Sequence, residues 1–113
     1  MVKKYIPKKG DIIMFDLNPI KGHEQKGYRP AIVVSHDFFN EHTKMIMVCP
    51  ISSNTKSFPT HYTLFDSKKI KGSVFCEHIR SIDYENRKVK FVERASNVDL
   101  LGVLTLLDVC INE

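Results

Sequence analysis

The sequence lacks the features that mark membrane proteins, disulfide-rich secreted proteins and structural zinc sites. Its longest apolar stretch, near the C-terminus, is too short and too interrupted to span a bilayer. Because no apolar run follows the N-terminal lysines, we expect no secretory signal. The cysteines, Cys49, Cys76 and Cys110, are widely separated in apolar surroundings, so we expect buried, reduced thiols. These absences favour a cytoplasmic protein without membrane contact.

Several catalytic motifs are also missing. The sequence contains no glycine-rich dinucleotide or P-loop signature, no paired-cysteine metal motif and no helical His-Glu-x-x-His. The five histidines share no metal-ligand spacing. Cys76 and His78 are close in sequence, but a strand end with a buried thiol explains them more simply. We therefore expect any catalysis to need neither a metal ion nor another cofactor.

Length and charge describe a small basic protein. The 113 residues predict a single domain over 1–113, with 42% hydrophobic and 27% charged residues, as in ordinary globular proteins. The formal charge of +4 and the pI near 9.0 favour a polyanionic partner, because a basic surface attracts phosphate chains.

The apolar pattern predicts five or six short strands and two helices. A short helix is capped by Ser35 or Asp37, and a C-terminal helix over about 97–110 is capped by Ser96 or Asn97. Such a mixture predicts an α+β, mainly β fold built on a strongly curved antiparallel sheet or barrel. The expected strands are 11–17, 31–35, 45–49 (ending at Pro50), 61–65, 73–76 and 88–92.

The C-terminal helix is apolar around nearly its whole circumference. A helix of this kind needs cover on more than one side, and the sheet of a small domain supplies only one. We therefore infer that its other side meets a second subunit. The alternative is a helix wedged wholly inside the monomer.

The loop 21–30 carries the strongest concentration of candidate functional groups. Gly22 and Gly27 allow sharp bends, and Pro30 biases Arg29 towards an extended conformation at the start of the next strand. Rigidly mounted loops commonly carry function, although a polar surface hairpin is the simpler alternative. Between the glycines lie His23, Glu24 and Gln25.

These residue types suit cleavage of RNA without a metal ion. RNA supplies its own nucleophile, the 2′-hydroxyl, so the enzyme must move protons and stabilise a phosphorane. Arginine binds phosphate bidentately and stays charged, while a Glu or His can act as acid or base. Ser52 and Ser53 could bond the non-bridging oxygens, and Tyr28 and Phe58 could stack on unpaired bases.

An ordered series of segments resembles the MazF/PemK (Kid) family of toxins from type II toxin–antitoxin systems, which are mRNA interferases. Asp11 and its strand come first, followed by Leu-Asn-Pro at 17–19 and Gly-His-Glu-Gln-Lys-Gly-Tyr-Arg-Pro at 22–30. The resemblance continues through Val-Cys-Pro-Ile-Ser-Ser at 48–53, Phe-Pro-Thr-His at 58–61 and Glu-His-Ile-Arg-Ser-Ile-Asp at 77–83.

The resemblance implies an SH3-like, partly open β-barrel with a short helix and a C-terminal helix, assembled as a homodimer. It implies cleavage of single-stranded RNA at short motifs, leaving a 2′,3′-cyclic phosphate and a 5′-hydroxyl, and inhibition by an acidic antitoxin in the RNA groove. By this resemblance the candidate catalytic residues are Arg29, Glu24, His23 and Ser52, and the substrate-binding residues are Gln25, Tyr28, Ser53, Phe58, Glu77, His78 and Arg80.

Three departures from the family pattern leave the roles open. Ser52 stands where many members have threonine, and His78 stands where glutamine is frequent. Phe75 replaces an extra arginine that PemK has just before its Cys-Asp pair. His23, Glu24 and Glu77 compete for the same proton-transfer role. A non-enzymatic CcdB-like toxin that binds gyrase and a non-catalytic RNA-binding module remain alternatives, and Lys68, Lys69 and Lys71 are either RNA contacts or a solvated turn.

Overall fold

A computed structural model describes residues 4–16, 27–54 and 56–112. Its elements confirm the α+β, mainly β class, with two helices and seven strands in one sheet. The helices are α1 (Asp37–Thr43) and α2 (Asn97–Asn112). The strands are β1 (Asp11–Asp16), β2 (Tyr28–Val33), β3 (Met45–Ser52), β4 (His61–Thr63), β5 (Ser73–Phe75), β6 (Arg80–Asp83) and β7 (Lys90–Arg94).

The sheet is antiparallel and is organised around β3. The strands follow the order β4-β5-β3-β2-β1-β7, and β6 pairs with the first half of β3. The second half of β3 pairs with β5, in the register Ile51 to Val74 and Ser52 to Ser73. Because β3 changes partner along its length, it joins two parts of the sheet and brings the ends of β2, β3 and β6 together.

Both faces of the central strands are buried. Neighbouring strand residues point to opposite faces, and Ile12 and Ile13 are both fully buried. Ile12 belongs to a cluster that includes Val103 and Leu107 of α2, whereas Ile13 packs with Ile46 and other residues of a second cluster. The sheet thus separates two small cores, and β1 contributes a fully buried side chain to each of them.

Three local predictions are wrong. The third strand does not end at Pro50 but continues to Ser52. Pro50 lies opposite Ala31, where β3 passes from β6 to β5, and a residue without an amide hydrogen is tolerated at such a change of partner. Helix α1 is capped by the ring of His36, whose Nδ1 accepts a hydrogen bond from the Phe38 amide at 3.0 Å. Segment 80–83, which has no clear apolar alternation, forms strand β6.

Helix α2 is anchored at its first turn by a buried carboxylate. Ser96 caps the helix through a bond from the Asp99 amide to its Oγ, as predicted. Asp99 is fully buried and accepts bonds from the Tyr62 hydroxyl at 2.8 Å and from the Asp66 amide at 2.9 Å. Burial and the hydrogen bond to Asp99 raise the pKa of Tyr62 to about 12. The anchor fixes α2 against β4 and the chain that follows it.

The outer side of α2 remains exposed and apolar. Val98 is 60% exposed, Leu101 66% and Ile111 67%, whereas Val103 and Leu107 face the core. The sheet therefore covers one side of the helix, as the sequence predicts. The prediction of three buried thiols is wrong for Cys110, which lies on the exposed part of α2, whereas Cys49 and Cys76 are buried.

Candidate functional site

The candidate site is a cavity of about 850 Å³ between β2, β3, β6 and the chain that precedes β5. The described residues that line it include no carboxylate. Their polar groups are four cations, two hydroxyls and one imidazole, from Arg29, Lys69, Lys71, Arg80, Ser52, Ser53 and His78. Phe15 and Phe75 supply apolar wall. The cations and hydroxyls of this concave surface can bind an anionic group, and its aromatic side chains can pack against a flat ring attached to that group.

Strand pairing places Arg29 in this cavity. Arg29 lies near the start of β2, opposite Phe15 of β1, and its backbone extends into the buried run that begins at Ala31. The side chain is exposed, and its Nη1 donates a 3.0 Å hydrogen bond to the carbonyl of Tyr28. This backbone contact orients the guanidinium near the start of β2, beside the other donor groups that line the cavity.

Ser52 and Ser53 enter the same cavity from the end of β3. The Oγ of Ser52 accepts a 3.0 Å hydrogen bond from the amide of Asn54, so this hydroxyl is oriented by its own loop. Gly72 passes very close to this point, because a Cβ added there would lie 2.2 Å from the carbonyl oxygen of Ser52. The absence of a side chain at Gly72 therefore allows the Ser52 backbone to occupy its position.

His78 and Arg80 complete the cavity from the segment between β5 and β6. The Arg80 guanidinium lies over the Phe15 ring, with its carbon 5.8 Å from the ring centroid. The ring of His78 contacts Phe75 edge-on at 5.7 Å, and its side chain is 61% exposed. Both residues are exposed and line the cavity, so their polar groups are accessible to a ligand.

Glu77 is not among the described lining residues, but it lies beside the cavity, with its Oε2 3.8 Å from the Nε2 of His78. Glu77 accepts bonds from the Thr60 hydroxyl at 2.5 Å and from the His61 Nε2 at 2.8 Å. Partial burial raises the pKa of Glu77, but these two hydrogen bonds outweigh it, and the pKa lies below the ordinary value. The His61 ring stacks on Phe75 at 3.7 Å, so the cluster supports a cavity wall. A carboxylate that is held ionised in this way is poorly suited to donate a proton at neutral pH.

The remaining predicted site residues divide into two groups. The ring of Tyr28 lies under Lys90, 5.4 Å from its ammonium, and Phe58 is 54% exposed against His61. Neither is among the described residues that line the cavity. His23, Glu24 and Gln25 lie outside the described residues.

Several residues that line the cavity were not among the predicted site residues. Phe15 and Phe75 lie on strands and carried no predicted role in the site, whereas Lys69 and Lys71 were left open as either RNA contacts or a solvated turn. The sequence signal for the lysines was their basic run, but only the tertiary structure brings that run beside Arg29. Within the described ranges, no group of three or more His, Cys, Asp or Glu side chains could hold a metal ion.

The fold and the cavity define a small basic protein with a cation-lined groove where the ends of β2, β3 and β6 meet in an antiparallel sheet. The family model for PemK-like, MazF-like toxins of type II toxin–antitoxin systems matches residues 8–111, and the chain belongs to this family. This match confirms the family predicted from the sequence. In the described part of the chain, no helix is long and apolar enough to span a membrane.

Individual relatives agree in sequence and in structure. The endoribonuclease toxin MazF of Escherichia coli K12 is 34% identical over 77% of this chain and 78% of its own length. The endoribonuclease MazF of Staphylococcus epidermidis is 32% identical over 88% of each chain. The crystal structure of MazF from Deinococcus radiodurans superposes with a TM-score of 0.84 and 31% identity, over 97% of this chain and 100% of that one. A MazE–MazF complex from the same organism gives a TM-score of 0.83 at 27% identity, over 96% and 98% of the two chains.

Proposed function

We propose that this protein is the toxin of a type II toxin–antitoxin system and that it cleaves single-stranded mRNA in the basic cavity, which inhibits translation. The observation that carries the proposal is the convergence of Arg29, Arg80 and two hydroxyls on one groove without a described carboxylate. Its relatives named endoribonuclease MazF support the same activity. The match over 8–111 supports a single toxin domain.

In the proposed reaction the RNA supplies the nucleophile. A base removes the proton of a 2′-hydroxyl, the 2′-oxygen attacks the adjacent phosphorus, and the bond to the 5′-oxygen breaks. An acid protonates the leaving oxygen, and the products are a 2′,3′-cyclic phosphate and a 5′-hydroxyl. No step requires a metal ion or another cofactor.

The cavity residues have distinct proposed roles in this step. Arg29 binds the scissile phosphate and stabilises the charge that grows on its non-bridging oxygens, and Ser52 and Ser53 donate hydrogen bonds to them. His23 and Glu24 are the candidate acid and base, each contributing roughly 10²–10⁴-fold in rate. Glu77, which hydrogen bonds hold ionised, is assigned a supporting role instead.

Base recognition is proposed for the residues around the phosphate site. His78, Arg80 and the exposed part of Phe75 can contact a base splayed from a single strand, since aromatic and guanidinium planes stack on bases. Gln25, Tyr28 and Phe58 are proposed to contact neighbouring nucleotides. Cleavage at a short sequence motif follows if these contacts discriminate between base edges.

Two protein partners complete the proposal. An acidic antitoxin segment of the MazE type would occupy the same cations as RNA and inhibit by competition, in keeping with the formal charge of +4. A second copy of the chain would cover the exposed apolar side of α2, where Leu101 is 66% exposed. We propose the cytoplasm, where mRNA is present, as the place of action.

Cleavage of a long single-stranded RNA in excess EDTA tests the proposal. Wild-type protein should produce discrete cuts, and Arg29→Ala should lower the rate by at least about 10²-fold, because a phosphate contact made in the transition state is lost. Lys68→Ala, which changes an exposed lysine outside the described cavity lining, is the matched control. Gyrase inhibition without RNA cleavage would refute the proposal and favour a CcdB-like toxin.

A further inference from the structure

We propose that Glu93 is a positioning residue that fixes the turn 67–71 as a second wall of the cavity, and that Lys69 of this turn binds an RNA phosphate. We call residues 67–71 the basic turn. The inference rests on the proposed function and deepens it, because it adds a phosphate contact and its support to the RNA-binding groove.

The carboxylate of Glu93 receives three successive backbone amides of the basic turn. The amide of Lys68 donates to Oε1 at 2.9 Å, and the amides of Lys69 and Ile70 donate to Oε2 at 2.8 Å each. Glu93 lies on β7, at the edge of the sheet, whereas the basic turn connects β4 to β5. The Glu93 side chain thus links the β4–β5 connection to β7, and β4 and β7 are the first and last strands in the sheet order.

The contact is an anion bound by a concave set of amides. Partial burial raises the pKa of Glu93, whereas the three amide hydrogen bonds and the charge of Lys69 lower it. The lowering effects are larger, so the pKa of Glu93 lies below its ordinary value. The charge of Glu93 is therefore directed at the turn, and Glu93 is absent from the described lining of the cavity. A carboxylate at this position organises the groove without repelling RNA from it.

Two further bonds close the turn and distinguish its lysines. Ser67, which is buried, donates from its hydroxyl to the carbonyl of Ile70. The ammonium of Lys71 donates to the carbonyl of Ser67 at 2.6 Å, so it serves the turn itself. Lys69 and Lys71 both line the cavity, whereas Lys68 is not among the described lining residues. Of the two lining lysines, Lys71 already has its ammonium bonded to the Ser67 carbonyl. Lys69 is thus the member of the basic run assigned to phosphate.

The salt dependence of RNA binding tests the role of Lys69. The probe is a labelled single-stranded 2′-O-methyl RNA that carries the mapped cleavage sequence and cannot be cut, and binding is measured by fluorescence anisotropy from 50 to 300 mM NaCl. Loss of one phosphate contact should reduce the slope of log K against log salt by about 0.7. We expect this change for Lys69→Ala and an unchanged slope for Lys68→Ala. Equal slopes for wild type and Lys69→Ala would overturn the assignment.

A double-mutant cycle tests the role of Glu93. Glu93→Gln removes charge-assisted acceptors and should raise KM by roughly tenfold with kcat within about twofold, because it loosens a binding contact but not the reacting groups. The control is Glu85→Gln, which alters an exposed carboxylate paired with Lys4. In the Lys69→Ala background, Glu93→Gln should have little further effect on KM. Additive effects would show that Glu93 does not act through Lys69 and would overturn its positioning role.

The outcomes separate this inference from the proposed function. If wild-type protein does not cleave RNA, the proposed function fails. If wild-type protein cleaves RNA but Lys69→Ala binds and cleaves as wild type does, only the present inference fails. Should Glu93→Gln fail to fold, the salt dependence of Lys69→Ala still decides the RNA contact.

Discussion

Replacement of Gly72 by alanine tests whether the fold places Ser52 where the chemistry needs it. Gly72 has a φ of +134°, a region that side chains rarely adopt, and the new Cβ would lie 2.2 Å from the carbonyl oxygen of Ser52. A carbon and a carbonyl oxygen in contact are roughly 3.3–3.6 Å apart, so the two backbones must separate by about 1 Å. The move would also disturb the 2.9 Å bond from the Leu64 amide to the Gly72 carbonyl.

The expected magnitude follows from these two effects. A strained backbone conformation costs about 1–3 kcal/mol and a weakened hydrogen bond roughly 0.5–1.5 kcal/mol, so Gly72→Ala should reduce the free energy of unfolding by about 2–4 kcal/mol. For a domain of this size, that corresponds to a fall in Tm of roughly 8–16 °C. Displacing the Ser52 and Ser53 hydroxyls by about 1 Å should lower kcat/KM for RNA by up to about 10²-fold.

Thermal unfolding by circular dichroism and single-turnover RNA cleavage measure the two effects on the same protein. Cleavage is measured well below the Tm of the variant, so that lost activity reports a displaced site and not an unfolded chain. Lys68→Ala, in the adjacent turn, should change the free energy of unfolding by less than about 0.5 kcal/mol. A Gly72→Ala protein with wild-type Tm and wild-type cleavage would refute the placement of Ser52 against Gly72.

Two other predictions concern buried or partly buried carboxylates. Asp99→Asn should reduce the free energy of unfolding by about 2–4 kcal/mol in urea, because the Tyr62 hydroxyl and the Asp66 amide lose a charged acceptor; an unchanged value would contradict this anchor. The pKa of Glu77 is lower in the folded protein than in the unfolded chain, where it is about 4.3. The hydrogen bonds of the ionised carboxylate therefore stabilise the folded protein above about pH 4.3, and this stabilisation is lost as the pH falls through the pKa of the folded protein. The fall in Tm between pH 7 and pH 3 should therefore be smaller for Glu77→Gln, and equal falls would contradict the assignment.

Periodic apolar residues predicted most of the fold. Alternation located β1, and the Ser96 cap located the start of α2. The β-branched run at 31–35 located the buried part of β2, but the strand begins earlier, at Tyr28, and ends at Val33. Strand β6 was missed, since among the described strands it pairs with β3 alone and its residues Arg80 and Ser81 are exposed. The end of β3 was misjudged because the change of partner that accommodates Pro50 is a tertiary feature.

Part of the candidate site could be predicted from local sequence. Arg29 precedes Pro30 at the start of a predicted strand, and Ser52 and Ser53 come shortly after another predicted strand. The structure brings these three residues to one cavity with His78 and Arg80. Local sequence could not show that Glu77 is occupied by Thr60 and His61, because those partners are 16 or 17 residues away.

The basic run posed the same difficulty. Its lysines resemble any solvated turn until Glu93, more than twenty residues further along the chain, is seen to bind three of its amides. The homodimer remains a prediction that the exposed apolar side of α2 supports.

The most direct test of the proposed chemistry uses a DNA strand with a single ribonucleotide at the mapped cleavage position, incubated with wild-type protein in excess EDTA. The 2′-hydroxyl of that ribonucleotide is the only available internal nucleophile. We expect one cut, directly after the ribonucleotide, with a 2′,3′-cyclic phosphate on one product and a 5′-hydroxyl on the other by mass spectrometry. Cleavage of the all-DNA strand at the same rate, or products with a 5′-phosphate, would contradict the account.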